Sequence, residues 1–191
     1  MPPSNPSSSN LLFFSSLVRP NPPQDVKLVG ASATSIDLSY KIDNDLHYFP
    51  PGLEQDVEYR SQYDPQDQWT RKVVPFVNTT AVEHDVPLDA NTTFTQLLPY
   101  TKYFVKIRML SRAANASDPK MWSSYVEVNA TTKAEIPSDP PQTTLGSFEV
   151  VSHELQRRSI YVYWKNLPTK HHNGPHFGYE VTEVLEANKK R

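Results

Sequence analysis

One segment in the middle of the chain, residues 97–109, limits what the rest of the chain can fold into. It carries Leu97, Pro99, Thr101 and Tyr103 at two-residue steps. In the tyrosine corner of a Greek-key β-sandwich, a leucine fills the core and a proline stiffens the arch. A tyrosine at the start of the next strand returns its hydroxyl to an upstream backbone group. We therefore predict a structural role, and not a catalytic one, for these four residues.

Short segments with strand periodicity recur on both sides of this corner. Ile36, Leu38, Tyr40 and Ile42 alternate with polar residues, and residues 57–63 alternate in the same way. A period of two is typical of a strand with one buried face. The 18 prolines suit strand ends and turns better than helices. Together these patterns predict an all-β fold, a fibronectin type III (immunoglobulin-like) β-sandwich with one complete repeat and a truncated second repeat.

The chain repeats its own opening. The tripeptide Pro-Pro-Gln occurs at residues 22–24 and again at 140–142, each time before a run of short strands. The second run stops soon after residues 179–181, so it supplies only the first strands of a sandwich. We expect a disordered leader or the remnant of a preceding domain at residues 1–19, a complete repeat at 20–133, a linker at 134–139 and a truncated repeat at 140–191.

Composition argues against several classes of function. The formal charge is −2, which gives no general attraction for nucleic acid. The chain has no cysteine, so it has no disulfide, thiol nucleophile or cysteine-based zinc site. No carboxylate pair, Ser/His/Asp set or glycine-rich phosphate loop stands in a plausible context. His171, His172 and His176 are close in sequence but lack an obvious acidic partner. We expect no catalytic residue, no metal and no cofactor.

Four glycosylation sequons lie within the central part of the chain, with their acceptors at Asn78, Asn91, Asn115 and Asn129. Such motifs mark surface positions of secreted proteins. No run of residues approaches the roughly 20 apolar positions that a membrane-spanning helix needs. We therefore expect an extracellular or cell-surface location, in a parent protein that crosses the membrane once outside this sequence.

Three segments carry a resemblance to a known family. Residues 18–23 resemble the proline-rich junction inside a cytokine-binding module. Lys106-Ile107-Arg108, followed by residues 122–126 (Trp-Ser-Ser-Tyr-Val), resembles a degenerate WSxWS box of class I cytokine receptors. Residues 163–181 are similar to the next domain of the receptors that transduce the interleukin-6 signal. The order matches that group across residues 18–183, and its invertebrate members are the closest in layout.

The box resemblance has a physical interpretation. An extended, polyproline-like segment repeats every three residues, so Trp122 and Tyr125 would project from the same side. Lys106 and Arg108 share a face of the preceding strand, and we predict that the four form a structural cation–π box. Each exposed contact would contribute about 0.5–1 kcal/mol. Tyrosine replaces the second tryptophan of the family and valine its second serine, so a weaker stack is expected. The alternative is an ordinary last strand with a partly buried Trp122.

The resemblance also implies partners and a function. In the family a helical cytokine contacts inter-strand loops, which here are residues 43–52 and 112–121. Exposed aromatic side chains anchor many interfaces, so we predict ligand contacts at Tyr48 and Phe49, followed by Met121. The alternative for Phe49 is that it folds over its own core. The implied role is a cytokine-receptor ectodomain piece that helps to bind cytokine and to assemble a JAK/STAT receptor with a second receptor chain. The alternative is a fibronectin type III spacer of an adhesion protein or receptor phosphatase.

Overall fold

The computed structural model describes residues 18–44, 46–78, 86–153 and 157–182. The chain divides into two compact units, with the boundary between Lys133 and Ala134. Nearly all of the predicted leader, up to residue 17, lies outside the described residues. The two units are described separately below.

The described part of the first unit contains eight strands. They are β1 (Gln24–Ala31), β2 (Ile36–Ile42), β3 (Gly52–Ser61), β4 (Thr70–Lys72), β5 (Val77–Asn78), β6 (Leu88–Phe94), β7 (Lys102–Ser111) and β8 (Val126–Thr131). One sheet has the order β1-β2-β6, and the other has the order β4-β3-β7-β8 with β5 also paired to β3. All described pairings are antiparallel. The predicted all-β, fibronectin type III-like sandwich is therefore confirmed.

The core of the first unit lies between the two sheets. Strand β2 contributes the alternating residues predicted from the sequence, and all four are buried. Strand β7 contributes Tyr103, Val105, Ile107 and Met109, which belong to the same apolar cluster. Burying an aliphatic or aromatic side chain of this size contributes about 1.5–3 kcal/mol. The opposite face of β7 is thus left to Lys102, Phe104, Lys106 and Arg108, which are half-buried.

Strand β3 begins at Gly52, five residues before the strand predicted at 57–63. Leu53 is buried in the core and pairs with Val77 of β5, so burial and pairing extend the strand backwards. Gly52 has a φ of 147°, and a Cβ atom there would collide with the carbonyl oxygen of Val77. Only glycine adopts this backbone conformation without strain.

The second unit contains a hairpin of β9 (Phe148–His153) and β10 (Arg157–Val162), which pair in antiparallel register. An isolated bridge joins Gln142 to Lys165. The segment 164–179 packs through its own aromatic contacts, such as Trp164 with Tyr179, whose ring centres lie 5.2 Å apart. Hydrogen bonds join it to residues 134–142, as from the side-chain amide of Asn173 to the carbonyl of Ile136 at 3.1 Å. The four-part domain division remains a prediction.

Candidate functional site

The predicted tyrosine corner residues lie together at the start of β7. The backbone N–H of Leu98 donates a hydrogen bond to the Tyr103 hydroxyl at 2.8 Å. Leu97 is buried in the core cluster. Burial raises the pKa of Tyr103, and the bond from Leu98 opposes that rise only in part. The hydroxyl thus accepts from an upstream backbone group, five residues earlier in the chain.

Thr101 and Pro99 close the same arch by a second set of bonds. The Thr101 hydroxyl donates to the carbonyl oxygen of Pro99 at 2.8 Å. The backbone N–H of Thr101 donates to the Thr132 hydroxyl at 2.9 Å, and that hydroxyl donates to the carbonyl of Leu98 at 2.7 Å. The arch is therefore bonded to the chain that leaves β8 as well as to β7.

The four residues of the predicted box lie in one stack. Trp122 has φ −78° and ψ 144°, which are polyproline II values, and it follows a short 3-10 helix at Pro119–Met121. The Arg108 guanidinium carbon lies 4.1 Å from the centre of the Trp122 ring and 4.5 Å from that of Tyr125. The Lys106 ammonium lies 4.6 Å from the Tyr125 ring. Rings and cations therefore alternate along the face of β7.

The stack continues beyond the predicted four residues. The Lys106 ammonium also lies 4.3 Å from the centre of the Trp69 ring. The guanidinium carbon of Arg60 lies 5.2 Å from the centre of the same ring. Arg60 then lies 4.4 Å from Phe104, which Lys102 covers at 5.4 Å. We call the whole stack the cation–π ladder; its order is Trp122, Arg108, Tyr125, Lys106, Trp69, Arg60, Phe104 and Lys102.

Sequence reasoning missed the second half of the ladder. Lys102 and Phe104 share the even-numbered face of β7 with Lys106 and Arg108, so the two-residue period contained a signal for them. Arg60 lies on β3, and Trp69 lies in the loop just before β4. Their place depends on the register in which Arg60 lies opposite Phe104, and the sequence does not contain that register.

Two carboxylates fix two of the cations of the ladder, Arg108 and Lys106. Asp56 is only 4% exposed, and its Oδ2 accepts from Nη2 and Nε of Arg108 at 2.8 and 2.9 Å. Its Oδ1 lies 3.1 Å from Nε of Arg71. The Glu58 carboxylate lies 2.6 Å from the Lys106 ammonium. Both pairs follow from the register of β3 with β7, which sets each acid opposite its base.

The environment of Tyr125 shifts its ionisation. Its hydroxyl lies 3.5 Å from Oδ2 of Asp56, at the limit of a hydrogen bond. Burial raises the pKa of Tyr125 to about 12, and the nearby carboxylates of Glu58 and Asp56 add to the rise. The positive charge of Arg108 opposes it. Tyr125 is therefore neutral at physiological pH.

Ser123 holds the aromatic segment against β7. Its N–H donates to the carbonyl of Met109 at 2.8 Å, and its hydroxyl accepts from the Met109 N–H at 2.8 Å. The indole N–H of Trp122 donates to the carbonyl of Ala116 at 2.9 Å, which anchors the preceding loop. Val126, in place of the second serine of the family, begins β8 and pairs with Ile107. One serine thus makes the backbone bonds of the box.

The structure separates the three predicted ligand-contact residues. Tyr48 is 59% exposed at the end of a short 3-10 helix, Leu46–Tyr48. Met121 is half-buried at the end of the 3-10 helix Pro119–Met121. Phe49 is 5% exposed and belongs to the core cluster, so the contact predicted for it is wrong and the alternative, packing over its own core, describes it. Its ring lacks the exposed surface that an interface anchor needs.

The acceptor asparagines of the four sequons are all exposed. Asn91 lies on β6, Asn129 on β8 and Asn78 at the end of β5. Asn115 lies in the loop after β7, where its side-chain oxygen accepts from the N–H of Ser117. Their glycosylation remains a prediction.

The histidine cluster differs from its prediction in one respect. Nδ1 of His171 lies 2.6 Å from Oδ2 of Asp139, so an acidic partner 32 residues away in sequence is close in space. His172 instead stacks on Phe177, with ring centres 4.0 Å apart. Within residues 18–44, 46–78, 86–153 and 157–182 there is no group of three or more side chains placed to hold a metal ion. In the same ranges no helix is long and apolar enough to span a bilayer.

Comparison with known proteins gives relatives of one kind. No protein-family model matches the chain. A cytokine receptor of Drosophila melanogaster is 25% identical over 170 residues, which is 89% of this chain and 12% of the relative. Interleukin-6 receptor subunit beta of Mus musculus is 28% identical over 177 residues, which is 90% of this chain and 17% of the relative. Oncostatin-M-specific receptor subunit beta of Mus musculus is 25% identical over 172 residues, which is 89% of this chain and 15% of the relative.

Among solved structures, a redesigned β-sandwich protein aligns with a TM-score of 0.39 at 20% identity, over 59% of this chain and 90% of that chain. The chain spans between 12 and 17% of the length of the three curated relatives. The resemblance predicted from the sequence is confirmed: over about nine-tenths of its length, this chain is similar to cytokine receptors that include the interleukin-6 receptor subunit beta.

Proposed function

We propose that this chain is part of the extracellular region of a cytokine receptor, where it contributes to cytokine binding and to the assembly of a JAK/STAT receptor. Its partners would be a helical cytokine and a second receptor chain, and it would have no catalytic activity. The proposal rests on the cation–π ladder, because the ladder joins the degenerate WSxWS segment to β7. Relatives that are cytokine receptors support it.

The ladder would act by holding loops, not by touching ligand. The loop at 112–121 is fixed at its end by the bonds of Trp122 and Ser123, and at its start by the Arg112 N–H, which donates to the carbonyl of Gly52 at 3.0 Å. Gly52 ends the other predicted ligand loop, residues 43–52. The two loops therefore share one end of the sandwich, which is the arrangement that a single ligand bridging them requires.

Within these loops Tyr48 is the proposed anchor, since its ring is mostly exposed and aromatic anchors dominate many interfaces. Met121 is the proposed second contact. Phe49 would support the first loop from below, because its ring is in the core. A glycan at Asn115 would keep the middle of the second loop out of a flush contact.

A fibronectin type III spacer is the second candidate. The tyrosine corner favours it as much as it favours a receptor, since that corner stabilises Greek-key sandwiches in general. A spacer has no need of the exposed Tyr48 or of the ladder beyond its contribution to stability. Ligand binding is therefore what distinguishes the two.

The test uses the full chain secreted from eukaryotic cells and a panel of helical cytokines on a biosensor surface. We expect saturable binding by at least one cytokine, and a loss of at least about tenfold in Tyr48→Ser, as for an interface anchor. Tyr63→Ser is the matched control, because Tyr63 is an exposed tyrosine of a different loop. Folded chain that binds no member of the panel would favour the spacer.

Trp122→Ala tests the part of the proposal that concerns the ladder. We expect poor secretion and a large loss of stability, about 3–5 kcal/mol for truncating a buried tryptophan. Trp122→Phe keeps a ring over Arg108 and should recover most of the loss. Unchanged secretion and unfolding of Trp122→Ala would remove the support that the ladder gives.

A further inference from the structure

We infer that the β4–β5 edge of the larger sheet carries a preformed docking surface for a protein with an apolar centre and an acidic rim. The surface consists of Val73, Phe76 and Arg112, with Arg71 and Lys72 beside them. Except for Arg112, which begins the 112–121 loop, it lies outside the loops to which the proposed function assigns the cytokine contact, and it does not depend on that function.

The centre of the docking surface is apolar and exposed. The Val73 side chain is 90% exposed and that of Phe76 is 47% exposed. The neighbouring Val74 packs against the core, and Val77 is buried. The segment between β4 and β5 is therefore anchored by two valines, while Val73 and Phe76 point away from the core.

Side-chain bonds fix the backbone that presents these two residues. The Gln55 amide donates to the carbonyl of Pro75 at 2.8 Å. The oxygen of the same amide accepts from the Tyr40 hydroxyl at 2.6 Å, and Tyr40 is a core residue. The segment is thus tied to the core by a relay of two hydrogen bonds. A surface ordered before binding loses less conformational entropy when a partner arrives.

Arg112 orders the aromatic ring. Its guanidinium carbon lies 3.9 Å from the centre of the Phe76 ring. The backbone N–H of Arg112 donates to the carbonyl oxygen of Gly52. Together these residues line a shallow groove of about 300 Å³ that also includes Glu54 and Gln55. The ring is therefore held at one position by a cation that remains exposed to a partner.

The charge of the groove indicates the partner. Its lining contains three cationic side chains, Arg71, Lys72 and Arg112, and one carboxylate, Glu54. It is thus net positive on a chain whose formal charge is −2. Carboxylates around an apolar side chain would complement both the rim and the centre. A sulfated polysaccharide would satisfy only the rim and would leave Val73 and Phe76 without a contact.

The experiment records chemical-shift changes in the isotopically labelled full chain on titration with three synthetic amphipathic helices of equal length. One combines leucine with glutamate, the second leucine with lysine and the third serine with glutamate. Asn78→Gln serves as the reference protein, so that no glycan stands two residues from Phe76. We expect saturable shifts confined to residues 71–77 and 112, and only with the leucine–glutamate helix.

Variants decide whether the predicted side chains make the contact. Val73→Ser with Phe76→Ser should weaken binding of the leucine–glutamate helix at least tenfold, and Arg112→Gln should weaken it several-fold. Val29→Ser is the matched control, since Val29 is a 57% exposed valine on β1 of the other sheet. Unchanged spectra elsewhere would establish that each variant is folded. Phe76→Ser alone provides a second test if the double variant is not folded.

Two results would overturn the inference. One is binding of the leucine–lysine or serine–glutamate helix as tightly as the leucine–glutamate helix, or shifts outside the docking surface. The other is tight binding of a heparin-derived oligosaccharide that the two serine substitutions leave unchanged, with no binding of the leucine–glutamate helix. The second result would assign the groove to polysaccharide.

Discussion

The carboxylate of Asp56, on β3, holds the guanidinium of Arg108, on β7, through two of its nitrogens at 2.8 and 2.9 Å. This pair fixes the cation between the Trp122 and Tyr125 rings. It therefore connects the hydrogen-bonded register of two strands to the geometry of the cation–π ladder.

Replacing Asp56 with asparagine should destabilise the first unit by about 3 kcal/mol, because a partly buried guanidinium would lose its charged partner. Chemical unfolding followed by tryptophan fluorescence would measure the loss. Glu127→Gln is the control, as Glu127 is an exposed acid on β8. A loss in Asp56→Asn no greater than in Glu127→Gln would contradict a structural role for the pair.

Alkaline pH should destabilise the first unit through Tyr125. Its pKa lies near 10 when unfolded and at about 12 when folded. Between these values the unfolded chain has lost the phenolic proton and the folded chain retains it, so stability falls as pH rises. Below pH 10 the contribution is fully present. Burial also raises the pKa of Tyr40 and Tyr103, which act in the same direction.

Tyr125→Phe isolates the contribution of that residue. Unfolding free energies measured at several values between pH 9 and pH 12 should fall less steeply in the variant than in the parent. Absorbance of tyrosinate would report the ionisation directly. Parallel curves for the two proteins would show that Tyr125 does not couple to folding in this range.

Removing the hydrogen bond of the tyrosine corner should destabilise the first unit less than replacing Asp56 does. Tyr103→Phe leaves the N–H of Leu98 without its acceptor and should cost about 1–2 kcal/mol. Tyr100→Phe is a matched control three residues earlier, because the Tyr100 side chain is exposed. Thermal or chemical unfolding of both variants tests the difference. Equal stabilities would mean that the Tyr103 hydroxyl contributes nothing beyond its ring.

Four of the eight ladder residues are predicted from the sequence, the period of β7 also contains a signal for Lys102 and Phe104, and Trp69 and Arg60 could not be predicted. Lys106 with Arg108, and Trp122 with Tyr125, have spacings that match a strand and a polyproline-like segment. Trp69 and Arg60 lie on or beside another strand, and neither spacing nor composition contains the register that brings them to β7. The same limit explains why Asp56, at the centre of the site, received no role.

Phe49 illustrates a second limit. An aromatic side chain in a loop can bury its apolar surface either over its own core or against a partner. The same sequence pattern is compatible with both, so the pattern does not distinguish them. Burial depends on where the 3-10 turn at Leu46–Tyr48 directs the chain. The strand alternation of β2 and β7, in contrast, determines the buried face without reference to any other element. The fold class could therefore be predicted more completely than the contact residues.

The sequons give a prediction that is independent of the ladder. Replacing each acceptor asparagine, Asn78, Asn91, Asn115 or Asn129, with glutamine should increase the electrophoretic mobility of the secreted chain by one glycan step. All four side chains are exposed, so none is sterically withheld from modification. Treatment with a glycosidase should bring all variants and the parent to the same, faster mobility. A sequon whose replacement changes nothing is unoccupied.

We expect the cation–π ladder also to slow cleavage of the chain by proteases. Proteases of the trypsin type must draw an arginine or lysine side chain into a deep pocket. Within the ladder, the side chains of Arg60, Lys102, Lys106 and Arg108 are covered by aromatic rings. Three of them lie on β7, which is paired on both sides. An extracellular protease would have to open the sheet before it could cut there, so the rate of cleavage at these sites would report the opening of the sandwich itself.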